Sequence, residues 1–254
     1  MKILEVNHLK KIYVSHLSSN QVEALSDVTF SIEQGEYAAI MGESGSGKTT
    51  LLNLLASLDR PTSGEIIVDG QNLASVSDRR LAAYRRENLG FVFQDFNLLD
   101  TFTIQDNIFL PLVLSGKKVP EMKERLEPLA KILGILDILK KYPYEVSGGQ
   151  KQRAAAARAL ITDPKLLLAD EPTGALDSRA TENLLQIFER INQMGQTILM
   201  VTHSIRAASH AGRVLFMKDG VVYHQIYKGA RTNEQMYQEI SNTLTLLSQG
   251  GISS

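Results

Sequence analysis

Gly42-Glu43-Ser44-Gly45-Ser46-Gly47-Lys48-Thr49 is the stretch on which the reading of this chain turns. Its glycines let successive backbone N–H groups converge on one point without Cβ obstruction, which makes a cradle for an anion. Downstream, Leu51, Leu52, Leu54, Leu55 and Leu58 recur at helical spacing, so Thr49–Leu58 reads as a helix. That helix aims a positive end, roughly half an elementary charge, at the cradle. Upstream, Tyr37–Met41 is a short apolar run of the kind that forms a buried parallel strand. Strand, glycine loop and helix together fill every fixed position of the P-loop pattern. Lys48 then supplies a cation to the β- and γ-phosphates of a nucleotide, and the Thr49 hydroxyl is placed to ligate Mg²⁺. Gly42, Glu43, Ser44, Gly45, Ser46, Gly47 and Thr50 complete the expected phosphate-binding set.

On the N-terminal side, Val28, Phe30 and Ile32 alternate with polar neighbours as a strand does. Glu65–Val68, closed by Asp69-Gly70, reads as another strand, and Gly90–Phe93 as a third. Asp78–Glu87 is charged and helical. From about Asp100 to Lys141 the pattern is helical, with interruptions expected at Pro111, Pro120 and Pro128. Strands resume at Lys165–Ala169 and Thr197–Val201 around a helix at Arg179–Met194, and a strand pair is expected around Asp219-Gly220. A helical tail follows over Thr232–Gln249. Strand–helix–strand alternation predicts a parallel sheet with right-handed crossovers.

The chain has 254 residues, with 43% hydrophobic and 22% charged, ordinary values for a globular protein. Its 27 basic residues face 28 acidic ones, so nucleic acid is not expected as a main partner. No apolar run approaches the ~18–20 residues that span a bilayer, and the N-terminus lacks the apolar core of a signal peptide. The expectation is a cytoplasmic chain whose membrane role, if it has one, comes through a separate partner. Cysteine is absent, which excludes disulfides and thiolate metal sites.

Leu166-Leu167-Leu168-Ala169-Asp170-Glu171 is an apolar run ending in two acids. A buried strand puts Asp170 at its carboxyl edge, where α/β sheets bind ligands. From there Asp170 can hold Mg²⁺ through water, and Glu171 can polarise an attacking water as general base. The bland alternative is a strand ending in two solvated acids. Ser147-Gly148-Gly149-Gln150 opens a second helix, rich in alanine, and so offers a second anion site. Its plain reading is an N-capped surface helix with Ser147 as the cap.

The ordered series resolves these alternatives by resemblance. Gly42–Thr49, Gln94, Ser147–Gln150, Asp170-Glu171, Leu176-Asp177 and His203 resemble, in order, the motifs of ATP-binding cassette (ABC) ATPases over roughly residues 1–228. The resemblance implies the α/β ABC-ATPase fold: a mainly parallel core sheet, N-terminal antiparallel strands, and an inserted α-helical subdomain at about 95–160. Residues 229–254 are then a short helical tail. It implies ATP and Mg²⁺ as ligands, with catalysis by Glu171, His203 and Lys48. Tyr13 resembles the aromatic that stacks on adenine, its alternative being a tyrosine of the strand core. Gln94 resembles the residue that senses Mg²⁺ and γ-phosphate, joining Thr49 and Asp170 around the metal. Asp177 resembles a dimer-interface aspartate. Ser147, Gly148, Gly149 and Gln150 resemble the signature that meets the γ-phosphate bound by a second copy in a head-to-tail dimer.

A narrower resemblance lies in Ile12-Tyr13-Val14 with Val22-Glu23-Ala24-Leu25, separated by a short polar insert, and in Phe91–Leu99. These are similar to the macrolide-exporting and lipoprotein-releasing branch of ABC ATPases. Within it, Pro143–Arg153 and the tail from Gln225 are similar to the ATPases of bacitracin-type peptide-resistance transporters. This implies a bacterial subunit lying on the inner face of the membrane through a permease, whose helix enters a groove near Phe91–Leu99. Such systems commonly work alongside a sensor histidine kinase. Lipoprotein release, macrolide export or cell division is the alternative role, and a soluble non-transport ATPase a remote one. Two positions depart from the family pattern. Val146 stands where leucine usually precedes the signature, and Gly174 stands where serine often begins the turn to Asp177.

Overall fold

A computed structural model describes residues 1–14 and 21–248. Residues 15–20 of the short polar insert and the tail residues after Ser248 lie outside the described residues. The antiparallel portion holds β1 (Lys2–Val14), β2 (Gln21–Glu33), β4 (Ser63–Val68) and β5 (Gln71–Asn72). The rest comprises β3 (Tyr37–Met41), β6 (Leu89–Val92), β7 (Leu166–Asp170), β8 (Ile198–Thr202), β9 (Arg213–Lys218) and β10 (Val221–Tyr227). Together they make one ten-stranded sheet in the order β5-β4-β1-β2-β10-β9-β3-β8-β7-β6. Strands β9, β3, β8, β7 and β6 run parallel; β10 is antiparallel to β9 and meets β2 at Val221 and Asp27.

The parallel strands are apolar except near their ends because both of their faces are covered, and period-2 geometry divides them between two cores. Tyr37, Ala39 and Met41 of β3 join Leu167 and Ala169 of β7 and Ile198 and Met200 of β8 in one core. That core is closed by α3 (Ile104–Leu114), α4 (Val119–Leu133), α5 (Gly148–Leu160), α6 (Ser178–Gln193), α7 (Ile205–Ala208) and α8 (Asn233–Ser248). The alternate residues Ala38, Ile40, Leu166, Leu168, Leu199 and Val201 face α1 (Lys48–Leu55), α2 (Asp78–Asn88) and the antiparallel strands. Phe188 and Phe216 are among the fully buried side chains, each contributing about 1.5–3 kcal/mol by leaving water. Met236 and Ile240 seat α8 in the first core.

Two local expectations are corrected. The helical stretch is not broken at Pro111 and Pro128, which lie inside α3 and α4. An internal proline costs a helix ~3 kcal/mol, but both helices bury a full apolar face around it: Ile108, Phe109 and Leu112 in α3, Leu126, Ala130 and Leu133 in α4. Pro120 sits in the first turn of α4, where its missing N–H has no partner to lose. At the other correction, α1 ends at Leu55 rather than Leu58. Ser57 turns left-handed at φ 53° and Leu58 is left exposed.

Candidate active site

Register decides what meets at the carboxyl edge of the sheet. Strand β8 lies between β3 and β7, pairing Thr202 with Met41 on one side and Val201 with Asp170 on the other. The loop after β3, the Asp170-Glu171 pair after β7 and His203 after β8 therefore leave the sheet side by side. This is the edge at which open parallel sheets bind ligands.

The glycine loop is shaped by steric demand. Gly47 caps α1 at φ 100°, and a Cβ there would lie 2.5 Å from the carbonyl of Ala24. Only glycine fits. Lys48 folds over the loop, its Nζ donating to the carbonyls of Gly42 and Glu43 at 2.7 Å each and to Ser46 Oγ at 3.3 Å. Burial pulls the Lys48 ammonium below its ordinary pKa, while Glu171, Asp170 and Glu43 pull the other way. Asp170 is displaced upward, first by burial and then by Glu171, with Lys48 opposing.

Glu171 takes a left-handed turn at φ 44°, which swings its carboxylate across the end of β8. Oε1 accepts from the His203 backbone N–H at 2.9 Å and lies 2.7 Å from His203 Nδ1; Oε2 accepts from Thr202 Oγ1 at 3.0 Å. The Thr202 hydroxyl also accepts from Ser204 N–H at 3.0 Å. The carboxylate is thus fixed at both oxygens, and His203 is drawn to it.

Ser147, Gly148, Gly149 and Asp177 line a separate cavity of about 310 Å³ that includes no residue of the glycine loop. Ser147 caps α5 in a full capping box: Oγ accepts from Gln150 N–H, and Gln150 Oε1 accepts from Ser147 N–H at 2.9 Å. Asp177 caps α6 by accepting from Ala180 N–H at 2.8 Å. Tyr13 is not a core residue. It is 40% exposed, its hydroxyl donates to Asp59 at 2.9 Å, and Lys11 Nζ lies 4.7 Å from its ring centre.

Three features were missed in the sequence. Thr202 closes an apolar strand, and its polar end was the available signal. Gln152, fully buried in α5, donates to the carbonyls of Phe93 at 3.0 Å and Pro172 at 2.7 Å, tying together the segments that carry Gln94 and Glu171. Gly174 is more than a lost hydroxyl: a Cβ there would lie 2.8 Å from Gln94 Cδ. The Gln94 side chain rests in the space that glycine leaves open.

A parallel sheet with a glycine-loop lysine, an acidic pair after β7 and a histidine after β8 defines a P-loop ATPase. The sequence model of the ABC transporter family matches residues 25–174, and the chain belongs to that family as an ATP-binding, ATP-hydrolysing transporter subunit. It is 49% identical to the ABC transporter ATP-binding protein YxdL of Bacillus subtilis (strain 168), over 96% of this chain and 94% of that one. To the bacitracin export ATP-binding protein BceA of Halalkalibacterium halodurans it is 44% identical, over 99% and 98%. Its fold matches the ATP-binding cassette MJ0796, solved as a dimer in a post-hydrolysis state with ADP and Pi, at TM-score 0.80 and 36% identity, covering 88% and 98%. Among the described residues no helix is long and apolar enough to cross a membrane.

Proposed function

We propose that two copies of this chain close head to tail around two ATP molecules and use hydrolysis to drive a membrane permease. The observation that carries this reading is the separation of two half-sites on one chain: the glycine loop with Glu171 and His203, and the cavity of Ser147, Gly149 and Asp177. A second copy completes each. In that arrangement Glu171 is the general base, Lys48 and His203 offset charge developing on the γ-phosphate, and Tyr13 stacks on adenine. Loss of the bridging γ-phosphate opens the dimer.

Mg²⁺ fits the residues present. Asp170 and Glu171 place two carboxylates together in a partly buried setting, raising the Asp170 pKa, and a dication relieves that repulsion. Among the described residues no cluster of three or more His, Cys, Asp or Glu could hold a metal. This suits an ion that takes one or two protein carboxylates, with neutral oxygens, phosphates and water supplying the rest. Thr49, Asp170 and Gln94 would hold it, and it would neutralise phosphate charge.

The likeness to BceA supports a role in resistance to bacitracin-type antimicrobial peptides. The chain then lies on the inner face of the membrane, held by the permease, in a system that works with a sensor histidine kinase. Docking falls to the groove beside Phe91 and Phe93, whose rings stack 5.8 Å apart. The central claim is tested by Glu171→Gln. ATP turnover falls at least a hundredfold, as expected for loss of a general base, and ATP then traps a dimer in size-exclusion chromatography. Turnover at the wild-type rate removes Glu171 from the base role.

A further inference from the structure

Tyr13 stands near the end of β1, and the turn after α1 holds it there. Asp59 in that turn engages two residues of β1 at once. Its Oδ2 accepts from the Tyr13 hydroxyl at 2.9 Å, and its Oδ1 from Lys11 Nζ at 2.7 Å. Lys11 also donates to the carbonyl of Arg60 at 2.7 Å, while the Arg60 N–H donates to Asp59 Oδ1 at 2.7 Å. Two further bonds knit the segments together: Thr62 N–H to the carbonyl of Lys10 at 2.8 Å, and Ile12 N–H to Thr62 Oγ1 at 3.0 Å. The same turn is anchored on α1, where Leu58 N–H donates to the carbonyl of Asn53 at 2.9 Å. Burial opposes ionisation of Asp59, yet Lys11, Tyr13 and the Arg60 N–H together hold its carboxyl below the ordinary pKa. At neutral pH it is a carboxylate, able only to accept.

Lys11 keeps 12% of its side chain exposed, and its Nζ lies over the Tyr13 ring. A cation is attracted to the electron-rich face of an aromatic ring and so occupies that face. The Thr50 side chain also neighbours the Tyr13 hydroxyl, which sets the ring beside the first turn of α1, one residue past Thr49. A phenol free in water turns about its side-chain bonds. Here the hydroxyl is tethered and one face is covered, so the ring is ordered before a ligand arrives. Ordering a contact surface in advance removes that cost from binding.

We propose that Asp59 is a positioning residue for nucleotide binding, which holds Tyr13 in the orientation on which a purine stacks, and that Lys11 closes one ring face so that the base takes the other. This rests on the adenine-stacking reading of Tyr13 above. Neither Asp59 nor Lys11 belongs to the glycine loop, so their effect is confined to ligands that carry a base. A bare triphosphate fills the loop without meeting Tyr13.

Equilibrium binding to the full chain separates base from phosphate. ATP and inorganic tripolyphosphate are each titrated by calorimetry without Mg²⁺, so that no turnover intervenes. Asp59→Ala is expected to weaken ATP roughly fivefold, the scale of one hydrogen bond, and to leave the tripolyphosphate constant in place. Asp59→Asn, whose amide oxygen still accepts from the Tyr13 hydroxyl, loses less. Lys11→Met keeps the length of the side chain and discards its charge; it weakens ATP on the same scale, again without effect on tripolyphosphate. Tyr13→Ala removes the platform itself and weakens ATP roughly tenfold or more, the scale of base stacking. Asp59→Ala added to Tyr13→Ala then costs nothing further, because the two act through one ring. A further loss in the double variant overturns the proposal, as does equal weakening of ATP and tripolyphosphate by Asp59→Ala. An Asp59→Ala chain that binds ATP as tightly as wild type, or more tightly, overturns it too, while a loss at Tyr13→Ala keeps the stacking reading standing. ATP affinity untouched by Tyr13→Ala removes the stacking reading and the proposal with it.

Discussion

Replacing Thr202 by valine isolates the hydrogen bond that orients Glu171. The two side chains are nearly isosteric, and Thr202 is fully buried, so the β8 core accepts the change. What disappears is the hydroxyl that donates to Glu171 Oε2 at 3.0 Å and accepts from Ser204 N–H at 3.0 Å. A hydrogen bond to a charged group contributes about 1.5–3 kcal/mol, which sets a ceiling of roughly 13- to 160-fold on the rate. Glu171 keeps its two contacts to His203 through Oε1, so part of the orientation survives. The expected result is a kcat lower by about tenfold, with KM for MgATP unchanged because the glycine loop is untouched. The lost Ser204 contact costs about 1 kcal/mol, or ~2–4 °C in Tm for a chain of this size. Thr202→Ser keeps the hydroxyl and should hold kcat within about twofold of wild type. Steady-state phosphate release with a thermal melt of each variant decides the matter. A valine variant at full rate, or a serine variant as slow as valine, refutes the assignment of the hydroxyl as an orienting group.

Asp170→Asn should stabilise the ATP-free chain. Folding raises this carboxyl above its ordinary pKa, so the folded state binds the proton more tightly than the unfolded state. Stability then falls as pH rises through that window, and the cost persists at neutral pH. Asparagine removes it: scanning fluorimetry at pH 7 should give a higher Tm without nucleotide and a smaller rise with MgATP, and a lower apo Tm counts against this. Gly174→Ser pushes the Gln94 side chain from its resting place, and the displaced atoms are the far end of a flexible chain. Unfolding free energy should stay within the ~0.5 kcal/mol typical of a mild change, while the Mg²⁺ concentration for half-maximal turnover falls; an unchanged Mg²⁺ titration argues that Gln94 is not parked there. Ile240→Ala empties a fully buried position under α8 and should cost about 2–4 kcal/mol in denaturant unfolding. A loss below 1 kcal/mol would mean that the tail is not part of the core.

What could be read from the sequence was what local chemistry alone dictates. The loop of Gly42–Thr49 is specified by steric exclusion, since a residue such as Gly47 at φ 100° has no substitute. The parallel strands were legible because burial on both faces demands continuous apolar runs. Prolines misled where tertiary burial outweighs a local penalty, as at Pro111 and Pro128. The antiparallel strands were visible in outline, but their place in the sheet was not. Only the fold brings β10 beside β2 at a single pair, Val221 and Asp27, and so joins the two parts. The site was legible as separate motifs; its geometry depends on β8 lying between β3 and β7, which no spacing announces.

Helix α5 carries the deeper consequence. Its N-terminus presents Ser147, Gly148 and Gly149 to the cavity shared with Asp177. Its buried Gln152 grips the carbonyls of Phe93 and Pro172, next in sequence to Gln94 and Glu171. Its Arg158 holds Phe96 and Asn97. Between Gln152 and Arg158 four consecutive alanines, Ala154–Ala157, are wholly buried on all sides of the helix and therefore pack close. A close-packed helix moves as a unit rather than bending, because small displacements meet hard contacts on every side. A displacement of α5 would therefore carry Gln152 and Ser147 together. In the head-to-tail arrangement proposed above, the half-site facing a second copy and the half-site holding ATP share this one helix, which is the mechanical condition for coupling the two.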